Sequence, residues 1–88
     1  MSKIRTVNNI QHIQAPTYKF TASYIDITFV NTAPLGGNNV LVNQFPVQPQ
    51  SELTFSCNVG EIDISDYSIT NNITASLYIF TRSYKDGI

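Results

Sequence analysis

Three acidic residues, Glu61, Asp63 and Asp66, lie within six positions of one another, although the whole chain of 88 residues has only six. In a strand, Glu61 and Asp63 project from one face. Two carboxylates at this spacing are the groups that bind Ca²⁺ or act as acid and base in a glycosidase. Calcium, however, takes about 6–8 oxygen ligands, and a glycosidase needs a cleft in a larger scaffold. We therefore interpret GEIDISDYSI structurally: Ile62 and Ile64 face the core, and the carboxylates of Glu61 and Asp63 face solvent. Asp66 is expected to stabilise a turn through its side chain.

His12 and Cys57 are the single histidine and the single cysteine of the chain. Any zinc site or cysteine–histidine nucleophile would have to use them, and nothing in their spacing supports either arrangement. Gly36 and Gly37 are not followed by the Lys-Ser/Thr and the helix of a phosphate-binding loop. The sequence thus predicts no catalytic residue, no metal ligand and no cofactor-binding residue, and we do not expect an enzyme.

The composition is polar but nearly uncharged, which limits the classes of partner. Charged residues make up 12% of the chain and the net charge is −1, while Asn, Gln, Ser and Thr together supply 31 residues. A nucleic-acid-binding or polybasic membrane-binding protein needs clustered Lys and Arg, so we expect neither partner. No apolar run approaches the ~20 residues of a membrane-spanning helix. The N-terminal segment lacks the pattern of a signal peptide, so we expect synthesis in a reducing cytoplasm without export.

Strand-forming residues dominate, with 11 Ile, nine Thr and six Val. Turn residues separate about six to seven short strands, which is typical of a small antiparallel β-sandwich or barrel. A chain of this length forms one domain, predicted to span 1–88 with an extended N-terminal segment at 1–15 and a short C-terminal tail at 82–88. The expected extended segments are 3–13, 17–31, 39–45, 52–56, 61–64, 67–70 and 74–82.

Residues 17–31 carry the clearest alternation of apolar and polar side chains. Tyr18, Phe20, Ala22 and Tyr24 share one parity, and Ile25, Ile27 and Phe29 share the other. A change of parity inside one extended run indicates a bulge, or a strand that moves to the other sheet, near position 23–24.

Residues 74–82 are apolar on both parities, which predicts a central strand or one covered on both sides. Residues 44–51 contain two prolines and are expected at an edge or in an irregular loop. The apolar positions of the expected strands predict a core of Phe20, Ile27, Phe29, Val42, Leu53, Phe55, Ile62, Ile64, Leu77 and Ile79.

Residues 39–69 contain a hairpin-like run, a proline-containing turn, an aromatic-bearing strand and a Gly-Glu-Ile-Asp segment. The residues concerned are Val40-Leu41-Val42-Asn43, Val47, Pro49, Leu53, Phe55, Gly60-Glu61-Ile62-Asp63 and Tyr67-Ser68-Ile69. This pattern resembles small β-sandwich virion proteins of tailed bacteriophages, often phages of Bacteroidetes hosts. The chain differs from it at Gln44 and Gln50, where the pattern has glycine.

The resemblance implies a non-enzymatic virion structural protein: a capsid decoration, head–tail connector or tail accessory subunit. Such a protein would be made in the bacterial cytoplasm and located in the virion. It would contact copies of itself, the major capsid protein, or head–tail or tail proteins. Low charge suits a repeated subunit, because like charges would repel at every contact. The N-terminal residues Ile4, Thr6 and Ile10 would be ordered by the sheet edge of a neighbour.

Two other functions are compatible with the sequence. A carbohydrate-binding or host-adhesion module would present an exposed aromatic row, for example Tyr18, Tyr24 and Tyr78. A small bacterial inhibitor or regulatory protein would fold alone in the cytoplasm.

Overall fold

The structure is a computed structural model that describes residues 6–71 and 76–84. These residues contain eight β-strands and no helix. The strands are β1 (Thr6–Ile13), β2 (Thr17–Thr21), β3 (Asp26–Asn31), β4 (Val40–Val42), β5 (Phe45–Val47), β6 (Ser51–Ser56), β7 (Asp66–Thr70) and β8 (Leu77–Tyr84).

The strands form two antiparallel four-stranded sheets that pack face to face. Sheet A has the order β1-β8-β3-β6, and sheet B has the order β2-β7-β4-β5. Inward-facing side chains of both sheets form one hydrophobic core, because alternate residues of each strand point to the same face. The prediction of a small all-β sandwich is confirmed.

Of the two predicted explanations for the parity change within residues 17–31, a bulge or a change of sheet, the structure shows the change of sheet. β2 ends at Thr21 in sheet B, and β3 begins at Asp26 in sheet A. Between them the Ala22 N–H donates to Ser65 C=O at 2.9 Å, whereas the Ile25 N–H donates to Arg82 C=O at 2.7 Å. The parity of the apolar side chains switches here because the chain crosses from one layer to the other.

Residues 40–47 form a tight hairpin, so the prediction of one strand over 39–45 is wrong. β4 and β5 are joined by Asn43 and Gln44, which have φ angles of 48° and 70°. Two left-handed residues are what a two-residue type I′ hairpin requires. Asn43 secures the turn: its N–H donates to Ser68 C=O at 2.8 Å, and its Oδ1 accepts the Ser68 N–H at 2.7 Å. These bonds to β7 allow the turn without the glycine that usually signals it.

The N-terminal segment belongs to the sandwich from Thr6 onward. Thr6 lies opposite Tyr84 and Ile10 opposite Phe80 in the β1–β8 ladder, so these two residues have a partner strand within their own chain rather than the predicted neighbour. Ile4 lies outside the described residues. At the other end β8 continues to Tyr84, and 85–88 also lie outside them.

The buried core agrees with the sequence prediction for strands β3, β4 and β8. Buried or packed against the core, as predicted, are Ile27, Phe29, Val42, Leu77 and Ile79, together with the partly buried Phe20 and Leu53. Phe55, Ile62 and Ile64 are exposed, so their predicted burial is wrong. Tyr67, which was not predicted, supplies a buried aromatic side chain from β7.

Asn31 is a fully buried polar residue at the end of β3. Its Nδ2 donates to Asn38 C=O and Val47 C=O, each at 3.0 Å, and its Oδ1 accepts the Ala33 N–H at 3.1 Å. Burial of an amide is tolerated because its donors and its acceptor are paired. The side chain therefore joins sheet A to β5 of sheet B at this end of the sandwich.

Candidate interaction surface

The three clustered acidic residues stabilise the connection between β6 and β7, each by a different contact. Asn58 to Glu61 form a turn in which the Glu61 N–H donates to Asn58 C=O at 3.0 Å. Glu61 Oε1 accepts the Asn58 N–H at 3.1 Å. Gly60, third in this turn, has a φ of 87°, which favours glycine and is the conformation a type II turn requires at that position. Glu61 therefore stabilises a turn.

Asp63 turns its carboxylate toward the sandwich. Its Oδ2 accepts a hydrogen bond from the buried Tyr67 hydroxyl, and its Oδ1 accepts the Ser65 N–H at 2.8 Å. Burial acts to raise the pKa of Asp63, but the hydrogen bonds from Tyr67 and Ser65 outweigh it and hold the pKa below its ordinary value. Burial, together with the Asp63 carboxylate, raises the pKa of Tyr67.

The predicted orientation is therefore wrong for Ile62, Asp63 and Ile64, whereas Glu61 is exposed as predicted. Their main chain makes a single isolated bridge, between Asp63 and Tyr24, instead of a strand ladder. Asp63 occupies the inward position because it binds Tyr67, and this leaves Ile62 and Ile64 exposed.

Asp66 lies in β7, where its Oδ1 accepts a hydrogen bond from Thr21 Oγ1 at 2.6 Å. It thus links β7 to β2 across a strand pair, rather than stabilising a turn as predicted. Within residues 6–71 and 76–84, no group of three or more His, Cys, Asp and Glu is placed to hold a metal ion.

His12 and Cys57 lie on opposite edges of sheet A. His12 is in the edge strand β1, whereas Cys57 directly follows β6 and donates its N–H to Ile25 C=O at 2.9 Å. Burial and the nearby Asp63 carboxylate raise the pKa of the Cys57 thiol, which favours the thiol over the nucleophilic thiolate. The structure does not bring them together as a nucleophile and base.

The outer face of sheet A carries the most distinctive exposed cluster. Strand register places two rows of side chains there: Ile10, Phe80, Thr28 and Thr54 in one row, and His12, Tyr78, Val30 and Glu52 in the next. We call these eight side chains the outer face. Ile10 is 62% exposed and Phe80 is 41% exposed, and they lie directly opposite each other on β1 and β8.

Local contacts hold the outer face in a defined shape. The His12 and Tyr78 rings stack with their centroids 4.4 Å apart and their planes 9° from parallel. Thr28 and Thr54 share a hydrogen bond between their hydroxyls at 3.0 Å. On the other side of the Ile10–Phe80 row, Asp26 and Arg82 form an ion pair. An apolar and aromatic patch bordered by polar and charged groups is typical of an interaction surface.

The predicted aromatic row of Tyr18, Tyr24 and Tyr78 is not formed. Tyr18 and Tyr24 pack against the core, whereas Tyr78 lies on the outer face against His12. The specific prediction of the carbohydrate-binding alternative is therefore wrong.

Sequence reasoning identified one half of the outer face and missed the other. It noted the aromatic side chains of Tyr78 and Phe80 and expected their strand to be central or covered on both sides. β8 is central, as predicted, yet Phe80 remains exposed. The missed signal was that Ile10 and His12 share one parity of β1. When β1 pairs with β8, that parity places both side chains on the outer face.

Comparisons with protein-family models, curated proteins and solved structures gave no match. In the described part of the chain, no helix is long and apolar enough to cross a membrane.

Proposed function

We propose that the protein is a non-enzymatic structural subunit of a tailed-bacteriophage virion that acts through protein–protein contacts. In this role it is made in the host cytoplasm and located in the particle, as a capsid decoration, head–tail or tail accessory subunit. The observation that carries the proposal is the outer face of sheet A, on which the apolar side chains of Ile10 and Phe80 are exposed next to each other. The resemblance of residues 39–69 to virion proteins supplies the choice of particle.

The contacts of the chemically capable residues support this reading. Asp63 binds Tyr67, Asp66 binds Thr21, and Glu61 closes a turn. A group engaged in this way stabilises the fold, whereas a general acid or base must reach a substrate. A role in stabilising the fold fits these side chains better than a role in catalysis.

The free energy available from covering the outer face suits a subunit present in many copies. Fully burying an Ile or Phe side chain contributes about 1.5–3 kcal/mol. Because Ile10 and Phe80 are 62% and 41% exposed, covering both would contribute roughly 1.5–3 kcal/mol in total. That is weak for an isolated complex, but repeated contacts in a particle add in avidity.

The proposal is tested with purified virions of a phage that encodes this chain. We expect mass spectrometry to find the protein in the particles, and Phe80→Ser to reduce its incorporation. Leu35→Ser is the matched control, because Leu35 is 82% exposed in the turn after β3 and lies outside the outer face. Absence of the wild-type chain from particles would refute the proposal, as would equal incorporation of Phe80→Ser and the control.

A further inference from the structure

Each sheet has two edge strands, and three of the four carry a residue that discourages pairing with another chain. β2 contains Lys19, β5 contains Pro46 and β6 contains Glu52. Charged residues and proline are the usual means by which proteins prevent association of sheet edges. β1 is the exception, since TVNNIQHI contains neither a Lys, Arg, Asp or Glu nor a proline over eight residues.

The alternation of hydrogen bonds across sheet A determines which residues of β1 point their main-chain N–H and C=O groups away from the sheet. The Thr32 N–H donates to Ser76 C=O at 2.7 Å, so even-numbered residues of β8 direct their main-chain groups to β3. Odd-numbered residues of β8 therefore bond to β1, where they lie opposite odd-numbered partners such as Asn9. The N–H and C=O groups of Asn8, Ile10 and His12 consequently point away from β8, toward the edge of the sheet.

We propose that β1 pairs antiparallel with β1 of a second copy, about a two-fold axis at Ile10. The two copies of sheet A then form one continuous eight-stranded sheet. This inference rests on the proposed function, and it specifies one partner of the structural subunit as the chain itself. A two-fold axis perpendicular to the sheet places the same surface of both copies in contact and keeps both outer faces on the same side.

The side chains of β1 select this register. With Ile10 opposite its own counterpart, Val7 lies opposite Ile13 of the second copy, and Asn9 lies opposite Gln11. Asn8 lies opposite His12. Apolar residues thus meet apolar residues and polar residues meet polar residues, which is the favourable pattern of cross-strand pairs. An axis at Asn9 would instead place Val7 opposite Gln11, and an axis at Gln11 would place Ile13 opposite Asn9.

The pairing places no Lys, Arg, Asp or Glu opposite a like charge, because β1 contains none of these residues. The same operation on β2 would place Lys19, at the centre of that strand, opposite its own counterpart. Like charges directly opposite each other destabilise a strand pair. Among the four described edges, β1 is therefore the one suited to self-association.

Sedimentation over a concentration series tests the pairing with the full chain. We expect the wild type to dimerise and Ile10→Lys to raise the dissociation constant at least about tenfold, because two lysines would face each other. Leu35→Lys is the matched control, since it exchanges an exposed apolar residue for lysine away from β1. It should dimerise like the wild type.

A pair of proline variants tests the main chain directly. Asn8→Pro removes an N–H on the outer side of β1, so it should abolish dimers and leave the melting temperature of the monomer nearly unchanged. Asn9→Pro removes an N–H that donates to β8, so it should lower the melting temperature. Both effects follow from the alternation of main-chain direction along β1.

Disulfide trapping tests the register. In a Cys57→Ser background, Ile10→Cys should cross-link two copies, because paired strands place opposite Cα atoms about 5.5 Å apart, within disulfide range. Asn8→Cys should not, since the two Asn8 positions would be offset by four residues, about 13 Å.

A chain that stays monomeric at all concentrations overturns the self-pairing, and dimers that persist in both Ile10→Lys and Asn8→Pro place the contact elsewhere. Dimers without the Ile10→Cys cross-link refute the register. In each case detection of the chain in virions would still support the proposed function, so the two failures are distinguishable.

Discussion

Truncation of two phenylalanines that look equivalent in the sequence should give different losses of stability. Phe29 is 0% exposed, and its ring centroid lies 5.4 Å from that of Tyr67 and 6.4 Å from that of Phe20. Phe55 is the penultimate residue of β6, and it is 42% exposed with its ring centroid 5.8 Å from that of Tyr67. Phe29→Ala leaves a cavity at the centre of the sandwich, whereas Phe55→Ala shortens a side chain that already meets solvent.

The expected magnitudes follow from burial. Removing a buried phenyl ring costs about 3–5 kcal/mol, and a domain of this length has a total stability of roughly 4–13 kcal/mol. Phe29→Ala should therefore remove a large part of the folding free energy. Phe55→Ala should cost about 1–2 kcal/mol, because much of its surface is not transferred from water on folding.

Urea denaturation followed by circular dichroism measures both variants against the wild type. Similar slopes with different midpoints would show that stability alone has changed. Equal losses for the two variants, or a larger loss for Phe55→Ala, would refute the assigned burial of β3 and β6. The wild-type midpoint is the common reference.

Three further predictions concern polar groups and turns. Asn31→Asp should cost more than about 3 kcal/mol in urea denaturation, because a buried carboxylate would face two carbonyl oxygens; a neutral result would contradict the buried network. Asp63 has a lowered pKa in the fold, so its contribution to stability is present above its ordinary value of 3.8 and is lost as pH falls through the lowered value. The stability gap between the wild type and Asp63→Ala should therefore be widest at neutral pH and narrow below about pH 4, and a gap independent of pH would contradict this. Gln44→Gly should raise the free energy of unfolding by about 1 kcal/mol, because a left-handed φ favours glycine. Gln50→Gly should not, although φ at Gln50 is also positive, since its Nε2 donates to Ala33 C=O at 2.7 Å; equal gains would show that this bond contributes little.

The sandwich could be predicted because its signals are local. Alternation along residues 17–31 gave the parity change at the crossing between sheets, and Ile27 and Phe29 were placed correctly. The two apolar parities of 74–82 gave the central position of β8. Each of these signals depends on neighbouring residues of one strand and on the period of two in side-chain direction.

The connection at 57–65 could not be predicted, because its conformation depends on a distant partner. Asp63 faces inward since the Tyr67 hydroxyl donates to it, and an alternating pattern alone favours the isoleucines instead. The hairpin at Asn43 and Gln44 is a second example: its usual glycine is missing, and contacts with Ser68 in β7 stabilise it. In both places a hydrogen bond between elements overrides the local preference.

Ile10 belongs both to the outer face and to the edge of β1, so the two proposals are separated by variants at other residues. Ile10 contributes its side chain to the outer face and its main-chain N–H and C=O to the edge. Phe80 belongs to the outer face alone, because β8 is paired on both sides. Asn8→Pro alters the main chain at the edge of β1 and leaves Phe80 in place, whereas Phe80→Ser alters the outer face and leaves that edge intact. The two variants therefore act on different contacts. If Phe80→Ser lowers incorporation into particles while dimers persist, the outer face binds another protein and β1 binds a second copy. If both variants lower both quantities, self-pairing through β1 is what presents a continuous outer face to the particle.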